Sequence, residues 1–594
     1  MMFKPDETFF STTRKKIIRY FRAKFRADLA AGLTVAMVVI PQAMAYAAIA
    51  GVNPVYGLFT AVIPTIVAAL FGSFPYLITG PSNPMALVTA SSLMIYANRP
   101  DYFEFVIALT LIAGIFNLIF GLLKLGTLTR YISNSVLVGF LTAIGVLIVV
   151  YQFGNLLGIE VSRAGGPLGV ITFIFSNLTN INSFALIISA ISFFIMILTR
   201  RINRKLPAAL ITISIAAGLV YLTGWSDTQN VQLVRDFGLP QQIRFGFHIP
   251  QLSLREFGSL GVSGAAIALF GFMQTISIAK SMSQMTGDPL DPSQEMISQG
   301  IAGFVSGFFQ CIPSSGSPTR TAINVVNGAK TRLSAIFSGL SVFLFLLLFF
   351  ELIGFIPIAA LAAIVIVSAA GLININLIKM TWQSRFKSRV VMVVTFVSTL
   401  VLPLEYAIYL GILTTILIYL GESSRMNLSY IIEDENGDFI ELPMKGIEKQ
   451  APKIAIVNIE GDLYFAAVED LQTQLEKILQ TDLEVLILRF RRAHLLASTG
   501  IITLRQLIRL AHQKGVEILF CGIQDEVLDP LDDAGVMDSI GESHIFSARE
   551  QLFKSTQLAL QKAKEILAQK ESPPDSKPES TAEEKSPHDQ QTTQ

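Results

Sequence analysis

Between about residues 28 and 422 the chain is a succession of apolar stretches of about 20 residues separated by short polar connections, the spacing of membrane-crossing helices. Fourteen segments are predicted: 28–48, 55–73, 79–97, 104–123, 132–157, 183–199, 206–224, 262–283, 293–310, 316–329, 333–352, 355–374, 389–403 and 405–422. After Glu422 the pattern changes. Short strands at 428–432 and 439–442 precede an alternation of strands (454–459, 485–490, 517–521) with helices (467–480, 499–513 and a last one from 548), which predicts a small α/β module. Beyond 568 the chain is Ser, Pro, Glu, Lys and Gln without apolar periodicity and is expected to be disordered.

Two breaks interrupt the apolar region: Thr79-Gly80-Pro81-Ser82-Asn83-Pro84, and Pro313 to Arg320 with the run Ser314-Ser315-Gly316-Ser317-Pro318-Thr319. In each, a small polar residue (Asn83, Ser317) stands where an N-cap belongs, and a proline follows at the first helical position, where a missing N–H costs nothing. A helix that starts inside hydrocarbon must point its first N–H groups into a polar site, where they and the helix dipole favour an anion. Pro318 lies 234 residues after Pro84, and the same offset carries Asp28 to residue 262, where the eighth segment starts. Seven segments plus seven is the division this suggests, and an odd number per half inverts the second repeat relative to the first. For either break alone the alternative is an extramembrane turn; two in register favour a binding site.

Composition narrows the class. The 594 residues are 52% hydrophobic and 15% charged, with the charge concentrated at the ends; mean hydropathy is +0.55. A net charge of +1 gives no reason to expect a nucleic-acid partner. Two cysteines, Cys311 and Cys521, exclude a disulfide framework. The five histidines, His248, His494, His512, His544 and His588, are not paired at ligand or catalytic spacing, so no enzyme, metal site or cofactor is expected. Arg14, Lys15, Lys16, Arg19, Arg22, Lys24 and Arg26 hold the N-terminus in the cytoplasm, and no cleavable signal peptide is evident. Loops after even-numbered segments carry Lys124 and Arg130, then Arg200, Arg201, Arg204 and Lys205, then Lys330 and Arg332, then Lys379, Arg385, Lys387 and Arg389, consistent with the same side.

Specific strings resemble a known group. Val39-Ile40-Pro41-Gln42-Ala43-Met44-Ala45-Tyr46-Ala47 with Pro54-Val55-Tyr56-Gly57-Leu58 is similar to the first-helix signature of the sulfate permease (SulP) family of anion transporters. Ile276 to Ser281 (Ile-Ser-Ile-Ala-Lys-Ser) resembles its eighth helix, and Gly316 to Asn324 with Gly328-Ala329-Lys330-Thr331 its tenth. The resemblance covers nearly the whole chain. It implies a polytopic α-helical membrane protein of about 14 transmembrane helices, built as two intertwined seven-helix inverted repeats that form core and gate domains, plus a cytoplasmic α/β STAS domain. The implied boundaries are a basic cytoplasmic N-terminus at 1–27, a transporter domain at 28–422 (repeats 28–224 and 262–422), the STAS domain at 423–567 and a tail at 568–594.

Carried over residue by residue, the resemblance places an anion among Asn83 and the backbone N–H groups of Met85, Ala86, Ser317, Thr319 and Arg320, with the hydroxyls of Ser317 and Thr319 added and Gln42, Tyr46 and Gln274 lining the pocket. Two helix N-termini of about +0.5 each and one guanidinium bring the pocket near +2. A charge at the bilayer centre costs about 2.5–3.5 kcal/mol, so Arg320 needs a partner; its structural alternative is a tie to helix-end carbonyls or snorkelling. The family often carries an acid where this chain has Gln274, so exchange or facilitated transport is expected in preference to proton or sodium symport. The implied function is secondary transport of an inorganic anion, sulfate first, by elevator-type alternating access. Bicarbonate is the alternative within the family, which Gly80 to Met85 resembles in its bicarbonate-transporting members; a non-transporting anion-gated sensor or motor is the alternative outside it. A homodimer in the plasma (inner) membrane with both termini cytoplasmic is implied by analogy, with the lipid bilayer and the anion as the other partners. In the STAS module, Ala497-Ser498-Thr499-Gly500 keeps the phosphorylatable hydroxyl of the family motif at Thr499 and loses its Asp; Thr499 is a possible regulatory residue, or a simple helix cap with Ser498.

Overall fold

A computed structural model describes residues 23–126, 133–159, 161, 166–203, 206–237, 246–423, 426–444, 453–461, 463, 465–493, 496–551 and 553–571. Most of the N-terminal basic run (Arg14 to Arg22), together with Arg130, Arg204, Lys205, His494 and the tail beyond 571, lies outside these residues. The chain divides into two compact units at Ile416/Leu417.

The first unit is helical. Its elements in order are α1 (Phe25–Ile49), α2 (Pro54–Phe71), the strand β1 (Thr79–Gly80), α3 (Asn83–Ser92), α4 (Tyr102–Leu122), α5 (Asn134–Leu157), α6 (Gly166–Ser176), α7 (Ser183–Ile202) and α8 (Ala208–Thr223). There follow α9 (Gly261–Thr286), α10 (Pro292–Phe308), β2 (Ser315–Gly316), α11 (Pro318–Val326), α12 (Leu333–Ile353), α13 (Ile358–Ala370), α14 (Ile375–Gln383), α15 (Phe386–Val401) and α16 (Leu404–Ser423). Each of the fourteen sequence segments falls on a helix. Among the described residues nine helices are long and apolar enough to cross a membrane. Two of the others, α3 and α11, have 10 and 9 residues because each begins only after a Gly/Pro break. The second series of elements repeats the order of the first, down to the short strand before a half-length helix.

Local chemistry sets the helix starts. Asn53 accepts from the Val55 N–H at 3.0 Å with Pro54 next in line, and Asp291 accepts from Ser293 and Gln294 at 2.9 and 3.1 Å with Pro292 next in line. Packing then interleaves the two series. α4 lies along α10, α1 and α2 pack on α12, and α5 packs on α13 and α15. The α4–α10 contact depends on absent side chains: a Cβ on Gly114 would stand 2.3 Å from the Phe304 nitrogen, and one on Gly303 would stand 3.0 Å from the Gly114 Cα. In lipid, where helices gain nothing from hiding apolar surface, such close backbone approach is what holds them together. Buried Asp28 at the start of α1 accepts from the Lys330 and Thr331 N–H groups at 2.6 and 3.0 Å and from the Thr331 hydroxyl at 2.5 Å, pinning the turn between α11 and α12.

The second unit is a six-stranded sheet of order β4-β3-β5-β6-β7-β8, with β3 (Asn427–Glu433), β4 (Phe439–Pro443), β5 (Ile454–Glu460), β6 (Val485–Arg492), β7 (Glu517–Ile523) and β8 (Ile545–Ser547). The pairs β4–β3–β5 are antiparallel and β5–β6–β7–β8 parallel. Residues of α17 (Phe465–Ile478), α18 (Ser498–Gln513) and α19 (Asp525–Asp533) fill one core and those of α20 (Lys554–Glu571) another. The alternation was predicted, whereas α19 and β8 were not, and the last helix starts at Lys554, not near 548. Arg489, in β6, is a buried cation. It donates to Asn458 Oδ1 at 2.9 Å and to Thr556 Oγ1 at 3.2 Å, and its guanidinium lies 4.7 Å from the Phe553 ring centre. The C-terminal helix supplies the partner that makes this burial possible.

Candidate functional site

The two breaks meet. β1 and β2 pair antiparallel, Thr79 opposite Gly316 and Gly80 opposite Ser315, and the Ser317 N–H extends the ladder to the Ile78 carbonyl at 3.0 Å. From this two-stranded link α3 and α11 depart; α1 packs against both, and so does α9, which also touches β2. Backbone groups exposed by a break in hydrocarbon must be satisfied locally. Here Thr65 donates to the Thr79 carbonyl at 2.6 Å, the Ile312 N–H to Thr60 Oγ1 at 2.9 Å, the Gly316 N–H to Thr275 Oγ1 at 2.9 Å, and Gln299 to Thr79 Oγ1 at 2.8 Å.

Helix capping follows the expectation at one break only. Ser317 is the N-cap of α11, its hydroxyl accepting from the Arg320 N–H at 3.5 Å, with Pro318 next. At the other break the N-cap is Ser82, and Asn83 is already the first helical residue. The Ser82 hydroxyl makes no capping bond; it meets the Ser315 hydroxyl at 3.0 Å, and Ser315 reaches Gln274 Oε1 at 3.4 Å while Gln274 donates to the Gly316 carbonyl at 3.3 Å. Gln274 is thus joined to the strand link through both ends of its amide.

Some of the expected backbone donors are already used. Ala86 donates to Ser82 and Ser317 to Ile78, and the Arg320 N–H is capped. Among the described residues the N–H groups of Met85 and Thr319 have no hydrogen-bond partner. Met85 is buried with its side chain against Gly271, where a Cβ would come within 3.3 Å of its Cε. Tyr46 is buried on α1 and Gln42, one turn earlier, is half-buried. The Thr319 side chain is exposed, as is Pro318, whereas Ser317 and Arg320 are buried, so the structure does not bring its hydroxyl into the buried cluster.

Buried side chains at the meeting point carry unused hydrogen-bonding capacity. Arg320 is 1% exposed; one terminal nitrogen donates to the Pro81 carbonyl at 2.6 Å, while Nε and Nη1 have no partner, and no carboxylate lies within 4.0 Å of it among the described residues. Both amide atoms of buried Asn83 are likewise without partner. A Cβ on Gly80 would stand 2.8 Å from Arg320 Nη1, so a side chain there would have to push the guanidinium aside. Buried polar groups are normally satisfied. A guanidinium, a carboxamide and two helix N-termini left open together form a cradle suited to an anion. The carbonyl tie at Pro81 corresponds to the scaffold alternative for Arg320, and the two free nitrogens go beyond it. Sequence reasoning missed Ser82, Ser315, Thr65, Thr79 and Gly80. For Ser82, Ser315, Thr79 and Gly80 the signal was present only as small residues near the two prolines, and Thr65, inside α2, carried none.

The profile of the sulfate permease family matches residues 25–395. This chain belongs to the sulfate permease family. A STAS domain profile matches residues 448–552. The low affinity sulfate transporter 3 of Stylosanthes hamata is 28% identical over 567 residues, 89% of this chain and 87% of that one; the chloroplastic sulfate transporter 4.1 of Arabidopsis thaliana is 26% identical over 545 residues, 88% and 78%. The structure of murine Slc26a9, described as an anion transporter in the inward-facing state, shares the fold with a TM-score of 0.84 at 20% identity, covering 95% of this chain and 96% of that one. The transmembrane domain of the cyanobacterial bicarbonate transporter BicA gives 0.57 at 22% identity over 66% of this chain and 97% of that one. This family is one of multi-pass membrane transporters and not of enzymes.

In the permease's STAS unit, Ser498 and Thr499 are exposed at the start of α18, whose N-cap is Ala497, a residue without a capping side chain. Neither hydroxyl is therefore the cap. Cys521 in β7 is buried against Thr556, and burial pushes its thiol up to about 12.

Proposed function

We propose that this sulfate permease family member carries a small inorganic anion, sulfate first, across the membrane by elevator-type alternating access. The observation that carries this reading is the buried Arg320 with two unpartnered nitrogens between two helix N-termini. The anion lies between α3 and α11, held by Arg320, the Asn83 amide, the Met85 and Thr319 N–H groups and the Ser317 hydroxyl, with Gln42, Tyr46 and Gln274 lining the site. Ala86 shapes the first turn of α3 without donating, since its N–H is taken by Ser82. The names of the plant relatives support sulfate.

The recurring order of elements supports two inverted repeats of seven spans, bounded as the sequence suggests, forming a core and a gate. A homodimer in the plasma (inner) membrane with cytoplasmic termini completes the arrangement, and the exposed Thr499 hydroxyl at a helix N-terminus suits phosphorylation as a regulatory input. No carboxylate is bonded to Arg320 or Gln274 among the described residues, which favours exchange or facilitated movement. The test is uptake of labelled sulfate and labelled bicarbonate into proteoliposomes with and without sodium and proton gradients. Saturable sulfate uptake indifferent to both gradients is expected. Bicarbonate uptake alone overturns the substrate, stimulation by either gradient overturns the coupling, and voltage-dependent charge movement without flux overturns transport.

A further inference from the structure

Away from the anion site, α8 on one side and α12 with the residues that follow it on the other line a cleft of about 560 Å³, its walls including Ile213, Gly218 and Tyr221 and, opposite, Phe349, Leu352 and Phe355. Its floor is open at Gly218, where an added Cβ meets no atom within 4 Å. α12 leaves helical geometry at Phe349 (φ −121°, ψ 18°), within the wall itself. Tyr221, Phe349 and Leu352 are exposed, Tyr221 to 66%, so the cleft faces outward from the helical unit. The two helices have different main partners: α12 packs on α1 and α2, and α8 on α7 and α1.

A trough with walls of this kind on a membrane-embedded surface does not hold water, which needs two to four polar partners that hydrocarbon cannot offer. Left empty, its lining loses dispersion contacts on one side. One end is different in character. There the Tyr221 and Phe355 rings meet edge to face at 5.3 Å, and the Arg235 guanidinium lies 5.6 Å from the Phe355 ring centre. Arg235 pairs with Asp227 at 2.9 Å, with Asp236 at 3.9 Å from its Nε, and Asp227 is 77% exposed on its side chain. An apolar trough that ends in both a cation and an accessible carboxylate matches a molecule with a hydrocarbon chain and a headgroup of both signs.

We propose that this cleft is a binding site for a zwitterionic phospholipid of the phosphatidylethanolamine type. One acyl chain lies along Gly218 between α8 and α12, the phosphate faces Arg235, and the ammonium faces Asp227. The chain gains little by leaving the bilayer, because lipid tails are as apolar as the walls. Selection among lipids therefore comes from the headgroup, through charge-assisted hydrogen bonds to Arg235 and Asp227.

The experiment uses the full-length protein in phosphatidylcholine nanodiscs doped with phosphatidylethanolamine carrying a photoreactive diazirine on one acyl chain, and in parallel with the phosphatidylglycerol counterpart. After irradiation the adducts are mapped by peptide. Adducts are expected to concentrate several-fold on 213–221 and 345–356 relative to α7 and α15, and to be stronger for the ethanolamine lipid. Gly218→Leu, which fills the open floor, should reduce them several-fold, while Gly218→Ala leaves them. Arg235→Gln and Asp227→Asn, both on exposed side chains, should abolish the headgroup preference without changing the unfolding temperature. Adducts no denser on these peptides than on α7, or indifferent to Gly218→Leu, overturn the site. Equal labelling by the two lipids overturns the headgroup assignment.

Discussion

Replacing Arg320 by Met separates a ligand-binding arginine from a scaffolding one, because the two roles predict opposite outcomes. The Arg320 side chain makes one hydrogen bond within the protein, to the Pro81 carbonyl, and leaves Nε and Nη1 open. A hydrogen bond to a charged group contributes about 1.5–3 kcal/mol, so two made to a bound anion are worth at least about 3 kcal/mol. That corresponds to a loss of more than about 100-fold in Kd. In the ligand-free protein, removing a charge that costs about 2.5–3.5 kcal/mol at membrane depth offsets a lost bond of about 1.5–3 kcal/mol. Fold stability should therefore stay within about 2 kcal/mol of wild type, without the larger loss of a broken buried pair. The assay is thermal unfolding in detergent across a sulfate titration, with radiolabelled sulfate binding alongside. At sulfate equal to 100 times its Kd, the wild type should gain about 2.7 kcal/mol, whereas a variant weakened 100-fold should gain only about 0.4 kcal/mol at the same concentration. Unchanged sulfate affinity together with ligand-free destabilisation of about 3–5 kcal/mol, the signature of a broken buried pair, would refute the ligand role.

Other outcomes follow from neighbouring geometry. Gly80→Ala brings a Cβ to within 2.8 Å of Arg320 Nη1, so it should displace the guanidinium and weaken sulfate binding; wild-type sulfate binding would contradict the close approach. Asp28→Asn keeps the acceptor for the Lys330 and Thr331 N–H groups but turns an amide nitrogen or a weaker acceptor toward the Thr331 hydroxyl, and should lower stability by about 1–3 kcal/mol with little change in anion affinity, as read by thermal unfolding and binding. Cys521, with its thiol pushed up to about 12 by burial, has a thiolate fraction at pH 8 on the order of one in ten thousand. Maleimide should therefore leave it unmodified until denaturant is added, as mass spectrometry of the intact protein would read.

The breaks were legible because Pro and Gly act through covalent geometry, which is local. Their meeting was legible only as an offset, and its atomic detail was not. Ser82 and Asn83 are both good caps by chemistry. What decides between them is Ser315, 233 positions away, to which the Ser82 hydroxyl turns. Thr319 has the residue type of a ligand, yet its place on the first turn of α11 leaves it exposed, as is Pro318 before it, while Arg320 after it is buried. In the soluble unit the strand and helix periods announced the α/β alternation, but burial of Arg489 depends on Asn458 in β5 and on Phe553 and Thr556 at the start of α20, contacts distant in sequence that no period records.

The two-residue ladder between Thr79-Gly80 and Ser315-Gly316 has a consequence for tolerance to length change. Strand side chains alternate, so one residue added or lost between Ile78 and Ser82 would swap which groups face Gln299 and Thr65 and which face Ser315. With only two rungs there is no remaining stretch on which the correct alignment could re-form. A one-residue insertion should be lethal to its function here, at the shortest regular element among the described residues.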